Sequence, residues 1–162
     1  MKKQIIRLLA LVLAAVCVFT LCSCSSGEEQ TPYSVSQKIL DLFSEDIEMT
    51  SLTSEQTAAY FGIDTKHLHS FSVSISSADD RYDTVAVFAY KDKEERTAVA
   101  DAVAQHLKTN ETTVKAVNDA EYRKIQNSLI MEHGDKLILV ISDNNEEIGK
   151  MLEELGAKKF IF

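Results

Sequence analysis

Asp64-Thr65-Lys66-His67-Leu68-His69 places two histidines and a carboxylate within six residues of this 162-residue chain. A His-x-His pair on a strand turns both imidazoles to one face, and a carboxylate three residues upstream can join them. Zinc or copper suits such a donor set, so Asp64, His67 and His69 form a candidate metal site. A closed tetrahedral site needs a fourth ligand, and only His106 and His133 remain as further histidines. His106 falls on the apolar stripe of a helix, where a hydrogen-bonded core histidine is the competing reading. His133 sits in a tight turn. A second grouping is aromatic. Tyr60, Phe61, Phe88 and Tyr90 each end an element, and gathered at one sheet edge they would rim a ligand or partner pocket. The alternative is ordinary core with tyrosine hydroxyls at its boundary.

Other chemistries find less support. Serines and histidines are present, but no Gly-x-Ser-x-Gly elbow is. Ser70, Ser72, Ser74 and Ser76 alternate with apolar residues and read as the solvated face of a strand. The acid pairs Glu45-Asp46, Asp79-Asp80 and Glu146-Glu147 are sequence neighbours in loops or helix starts, where solvent or the helix dipole accounts for them. No phosphate loop, dinucleotide fingerprint or calcium loop occurs. The expectation is a chain that is not an enzyme and carries no cofactor.

The elements that must position these residues follow from periodicity. Ser34 to Phe43 has Val35, Ile39, Leu42 and Phe43 on one face, a helix with Ser34 as its N-cap. Thr53-Ser54-Glu55-Gln56 opens a second helix with a capping pattern, and Gly62 stops it. Phe71, Val73 and Ile75 alternate with serines, and Thr84 to Tyr90 alternates again; the two strands read as a hairpin. Lys91 to Lys108 is a helix with Val99, Ala102, Val103, His106 and Leu107 as its stripe. A break near Thr109 and Asn110 leads to another helix with Val114, Val117, Tyr122 and Ile125. A second hairpin covers Leu129 to Ser142. Asp143-Asn144-Asn145 then starts a last helix that Gly156 ends. Phe160, Ile161 and Phe162 are too apolar to dangle, and should dock on the core or extend the sheet. Hairpins separated by helices predict one α+β domain, with an antiparallel sheet of about four strands covered by helices.

The N-terminus reads differently. Lys2, Lys3 and Arg7 precede Leu8 to Phe19, an uncharged run of the size of a secretory h-region rather than a membrane span. The segment Leu21-Cys22-Ser23-Cys24 that follows resembles the lipobox of bacterial lipoproteins. That resemblance implies lipidation of Cys24, cleavage before it, and a membrane anchor of two or three acyl chains, enough to hold firmly. The expected organisation is a signal peptide over 1–23, a lipidated Cys24 with a linker over 24–33, and one domain over 34–162. The alternative is an uncleaved anchor over about Ile5 to Leu21, with the domain on the same side. Cys17 and Cys22 leave with the signal in the first reading, so the mature domain would hold no thiol for catalysis, disulfides or metal.

Without residues 1–23 the chain keeps 14 basic against 25 acidic residues, a formal net charge of −11. An anionic membrane repels such a domain on average, so the lipid must hold it there. Nucleic acid is a poor candidate partner, and none is expected, because no basic stripe exists to displace counterions. The order of elements from Ser34 to Ser142, with Tyr60-Phe61-Gly62-Ile63-Asp64, Phe88-Ala89-Tyr90-Lys91 and the hairpin Ile130 to Ile141, resembles a domain family of unknown function. That family is found in small lipoproteins of clostridia-like Gram-positive bacteria. The resemblance implies a compartment and no chemistry. Together these features predict a lipid-anchored binding or interaction domain facing outside the cytoplasm. Its partner would be an envelope protein or a small ligand. A metal- or ligand-binding lipoprotein and an envelope hydrolase are the alternatives.

Overall fold

The computed structural model describes residues 30–162. The signal, lipobox and Cys24 readings all lie outside these residues. In chain order the elements are α1 (Pro32–Leu40), β1 (Met49–Ser51), α2 (Ser54–Phe61), a 3-10 turn (Thr65–His67), β2 (Ser70–Ser76), β3 (Thr84–Ala89), α3 (Lys93–Val114), α4 (Asp119–Gln126), β4 (Leu129–His133), β5 (Lys136–Ile141), α5 (Asn145–Glu154) and β6 (Lys158–Lys159). The strands make one open sheet in the order β1-β2-β3-β5-β4-β6, antiparallel at every pairing.

The fold class matches the sequence expectation; the strand number does not. Among the described residues there are six strands, not about four. The two hairpins supply β2–β3 and β4–β5, and the additions are edge strands of three and two residues. Segments that short carry no readable alternation. β1 follows the acidic loop of Glu45, Asp46 and Glu48, and β6 is a lysine pair, so nothing in their composition marks them as strands.

The sheet is covered on both faces. Phe61 of α2, Val99 and Val103 of α3 and Ile125 of α4 pack against Val73, Ala86, Phe88, Leu137, Leu139 and Ile141. On the other face Val35 and Ile39 of α1 and Ile148 and Leu152 of α5 meet Val85, Val87, Met131, Ile138 and Val140. The central strand β3 is therefore buried at every position. This second cover corrects the reading of the β2 serines as a solvated face. Ser74 is buried, because α1 packs over β2 and β3, and its hydroxyl meets that of Ser51 at 3.2 Å. Both apolar layers are built by residues between Val35 and Phe160, so the unit from Thr31 onward carries its own core.

Boundaries differ where polar residues cap rather than break. α1 starts at Pro32, not at Ser34. Thr31 is the N-cap and accepts from the Ser34 amide at 3.1 Å, with proline at the first helical position. α3 runs through Thr109 and Asn110 without a break. The hydroxyls of Thr109, Thr112 and Thr113 bond back to carbonyls four residues earlier, at 2.8 to 2.9 Å, so they are absorbed into the helix. The interruption comes later, and Asn118 caps α4 through the Glu121 amide. Val117, expected on the apolar stripe, is exposed. At the far end the expectation holds for Phe160 alone. Its amide donates to the Ile130 carbonyl at 2.9 Å, and its ring packs on the core, while Ile161 and Phe162 stand in solvent.

Candidate functional site

A cleft of about 440 Å³ lies between the 3-10 turn and the start of α3. Local rules build both walls. Thr53 and Gln56 form a capping box on α2, and Gly62 ends that helix at φ 66°, a conformation that costs glycine nothing. The chain then turns into Asp64, whose carboxylate caps the 3-10 turn by accepting from the Lys66 amide at 3.1 Å. Thr65 is buried and ties the turn back to Ser54 by a 2.7 Å hydroxyl bond. On the facing wall Asp92 caps α3, accepting from the amides of Glu94 and Glu95 at 2.9 Å. Glu95 accepts in turn from the Lys91 amide at 2.8 Å. The cleft is lined by the acids Asp64, Asp92, Glu94 and Glu95 with His67, over an apolar floor of Ile63, Leu68 and Ala98. The Glu94 carboxylate has no partner among the described residues. Four carboxylates around one opening make a negative field that favours a cation, and the floor accepts methylenes.

The structure brings two of the three predicted ligands together. His67 Nε2 lies 3.4 Å from Asp64 Oδ2, and both side chains border the cleft. His69 does not join them. It is exposed, its amide donates to the Ala89 carbonyl, and its ring acts on Asp135 instead, a carboxyl held low mainly by Lys136. The physical reason is backbone conformation. His67 closes the 3-10 turn and His69 precedes β2, so the two imidazoles never share a strand face. Among the described residues no group of three histidine, cysteine or acidic side chains is placed to hold a metal ion. His106 is the core histidine of the competing reading, 8% exposed. The Tyr60 carbonyl, 3.1 Å from Nδ1, can only accept, so Nδ1 carries the proton and Nε2 accepts from Asn110 at 2.9 Å. Burial pushes its pKa down to about 4.

The aromatic rim is core. Phe61 and Phe88 are buried and meet edge to face, with centroids 5.1 Å apart. Tyr60 stacks beside Phe61 and His106, and burial raises its pKa although Thr84 bonds the hydroxyl. Tyr90 donates to Glu132 at 2.5 Å; burial, then Glu132, pushes its hydroxyl up to about 12. Glu132 is held bidentate by Arg96, which keeps that carboxyl below its ordinary range. β3 puts Phe88 inward because the sheet is covered on this face, leaving no open edge for a rim.

Sequence reasoning missed a buried ionic network. Asp83, fully buried, is bonded by Lys124 through both oxygens at 3.1 and 3.2 Å, and by Arg81 at 3.0 Å. Lys124 also meets Glu121 at 2.8 Å and Asp143 at 3.4 Å, and the second Glu121 oxygen accepts from the Tyr82 amide. Burial works against the Lys124 ammonium, but Glu121 and Asp83 outweigh it, and its pKa is raised. The i,i+3 pair Glu121 and Lys124 was the only local signal, and it is indistinguishable from a surface pair. The network ties the β2–β3 turn to α4 and to the end of β5, away from the cleft.

No curated protein and no solved structure matches this chain. A match to a domain of unknown function, DUF4358, spans residues 43–142. That span begins just after α1 and runs through β5, including both walls of the cleft, the aromatic core and most of the ionic network, so the chain belongs to the DUF4358 family.

Proposed function

We propose that this chain is a non-catalytic binding domain, anchored to the outer face of the cell membrane by a lipid on Cys24, with a cleft that takes a cationic ligand. The cleft carries the binding reading: Asp64, Asp92, Glu94 and Glu95 surround an apolar floor, and Glu94 has no internal partner to neutralise it. A primary or secondary amine on a short aliphatic stem, free or on an envelope protein, fits that lining. The membrane placement is read from Leu21-Cys22-Ser23-Cys24, which resembles the lipobox of bacterial lipoproteins. A binding role is favoured over hydrolysis because the one deeply buried histidine, His106, has both ring nitrogens engaged by Tyr60 and Asn110.

The test is thermal melting of the domain from Ser25 onward with spermidine, a lysine-rich tripeptide, calcium and zinc. A ligand at about 100 times its Kd adds about 2.7 kcal/mol, a shift of roughly 10 °C for a domain of this size. The shift should appear with the amines and vanish in Asp64→Asn/Glu94→Gln. A flat response across the panel in a folded domain, or a shift untouched by the double substitution, rejects the cleft as the site.

A further inference from the structure

We propose that Lys158–Phe162 is a membrane-surface contact that seats on anionic lipid headgroups. Among the described residues four large apolar side chains stand in water, and two of them are consecutive: Ile161, 88% exposed, and Phe162, 61% exposed. Lys158 and Lys159, just before them, are also exposed. From Gly156 to Phe162 there are two lysines and no acidic side chain. Apolar tips beside lysines, whose stems lie along the acyl boundary while the ammoniums reach headgroups, are what an interfacial contact requires.

The segment is held, not trailing. β6 pairs Lys158 and Lys159 with Glu132 and Met131 of β4, and the Phe160 amide continues the ladder to Ile130. The Arg96 guanidinium lies 4.8 Å from the Phe160 ring centroid, and the Phe162 ring stands edge-on to Phe160 at 5.3 Å. Ordering is therefore done before the surface is met. The strong negative charge of the whole domain does not forbid the contact. Screening limits each charge to about 8 Å at physiological salt, so the local set decides. The acid facing Lys158 in register is Glu132, already neutralised by Arg96. The patch is also too small for a second protein. Two side chains offer on the order of 300 Å², against about 800 Å² per partner in a stable complex.

The contact depends on the membrane placement proposed above for its biological setting. Its test does not use the anchor, so the two readings fail separately. The domain from Ser25 onward is co-sedimented with neutral phosphatidylcholine vesicles and with vesicles containing about one third phosphatidylglycerol, near 0.1 M and about 0.5 M salt. Binding is expected on the anionic vesicles only, weakened severalfold by the higher salt. Ile161→Glu/Phe162→Glu, both exposed and outside the core, should melt like the parent and partition about tenfold less. Lys158→Gln/Lys159→Gln should lower binding and flatten its salt dependence. Absence of binding at millimolar lipid, or equal binding of the parent and the glutamate variant, overturns the proposal. So does a dimer in sedimentation velocity that the glutamate variant abolishes, which would assign the patch to a second copy.

Discussion

Acidification should destabilise this domain through His106. The neutral ring satisfies both neighbours: Nδ1–H donates to the Tyr60 carbonyl and Nε2 accepts from Asn110. A second proton would set a donor against the Asn110 amide, inside a box made by the Tyr60 and Phe61 rings, each with its centroid 4.5 Å from the imidazole. The folded pKa is thus near 4, against 6.5 when the chain is unfolded. A lowered pKa means the unfolded state takes up the proton first. The penalty is absent above about pH 6.5, grows as pH falls, and levels off below pH 4. Linkage puts the loss at about 2 kcal/mol between pH 7.5 and pH 5 and about 3 kcal/mol in full. Urea denaturation at half-unit pH steps measures it, with His106→Gln as reference. Carboxylates such as Glu132 add their own acid sensitivity, and the reference carries the same ones. The parent should lose about 2 kcal/mol more than His106→Gln over that interval, and the His106 ring resonance of the folded protein should stay unprotonated to below pH 5. Equal pH slopes in the two proteins, or a ring midpoint above 6, would refute the reasoning.

Lys124→Met removes the ammonium that bridges Asp83 and Glu121, and leaves buried Asp83 with Arg81 alone and Glu121 with the Tyr82 amide. The loss should be about 3 kcal/mol in chemical denaturation, smaller in Asp83→Asn/Lys124→Met, and a loss below about 1 kcal/mol would mean the network is not dry. Gly62→Ala places a Cβ in open space but at φ 66°, so its cost is backbone strain alone, about 1 kcal/mol, with Gly62→Asn costing less. Cys24→Ala should abolish incorporation of a clickable palmitate and release the protein from membranes, whereas Cys22→Ala should do neither; label retained in Cys24→Ala would dismiss the lipobox reading.

What the sequence made legible was local. The Thr53 and Gln56 capping box and the Gly62 stop were readable because all the atoms involved lie within ten residues. The alternation of β3, with Val85 and Val87 against Ala86 and Phe88, was readable because a strand's period is set by its own backbone. Features fixed by distant chain were not. Ser74 reads as wet until α1 is laid over it, and Lys124 reads as surface until Asp83 arrives from 41 positions away. The His67–His69 pair failed for the opposite reason. Its spacing is meaningful only on a strand, and the Asp64 carboxylate had already committed the preceding residues to a 3-10 turn. The cleft itself had half a signal: Asp64 and His67 were singled out, but its other wall was hidden in the ordinary-looking start of a helix.

The pairing of β3 with β5 has a kinetic consequence. Thr84 lies opposite Ile141 and Ala89 opposite Lys136, so the middle of the sheet joins segments roughly fifty residues apart. Each flanking hairpin closes over a short loop and can form early, yet two-stranded ribbons are marginal alone. The halves gain their mutual cover only when a long loop closes, and its entropy must be lost before the contacts repay it. Folding should therefore be slow for a chain with this much helix, and close to all-or-none. Substitutions at Val87 or Ile138 should slow refolding, while those in β1 or β6 should act mainly on the rate of unfolding.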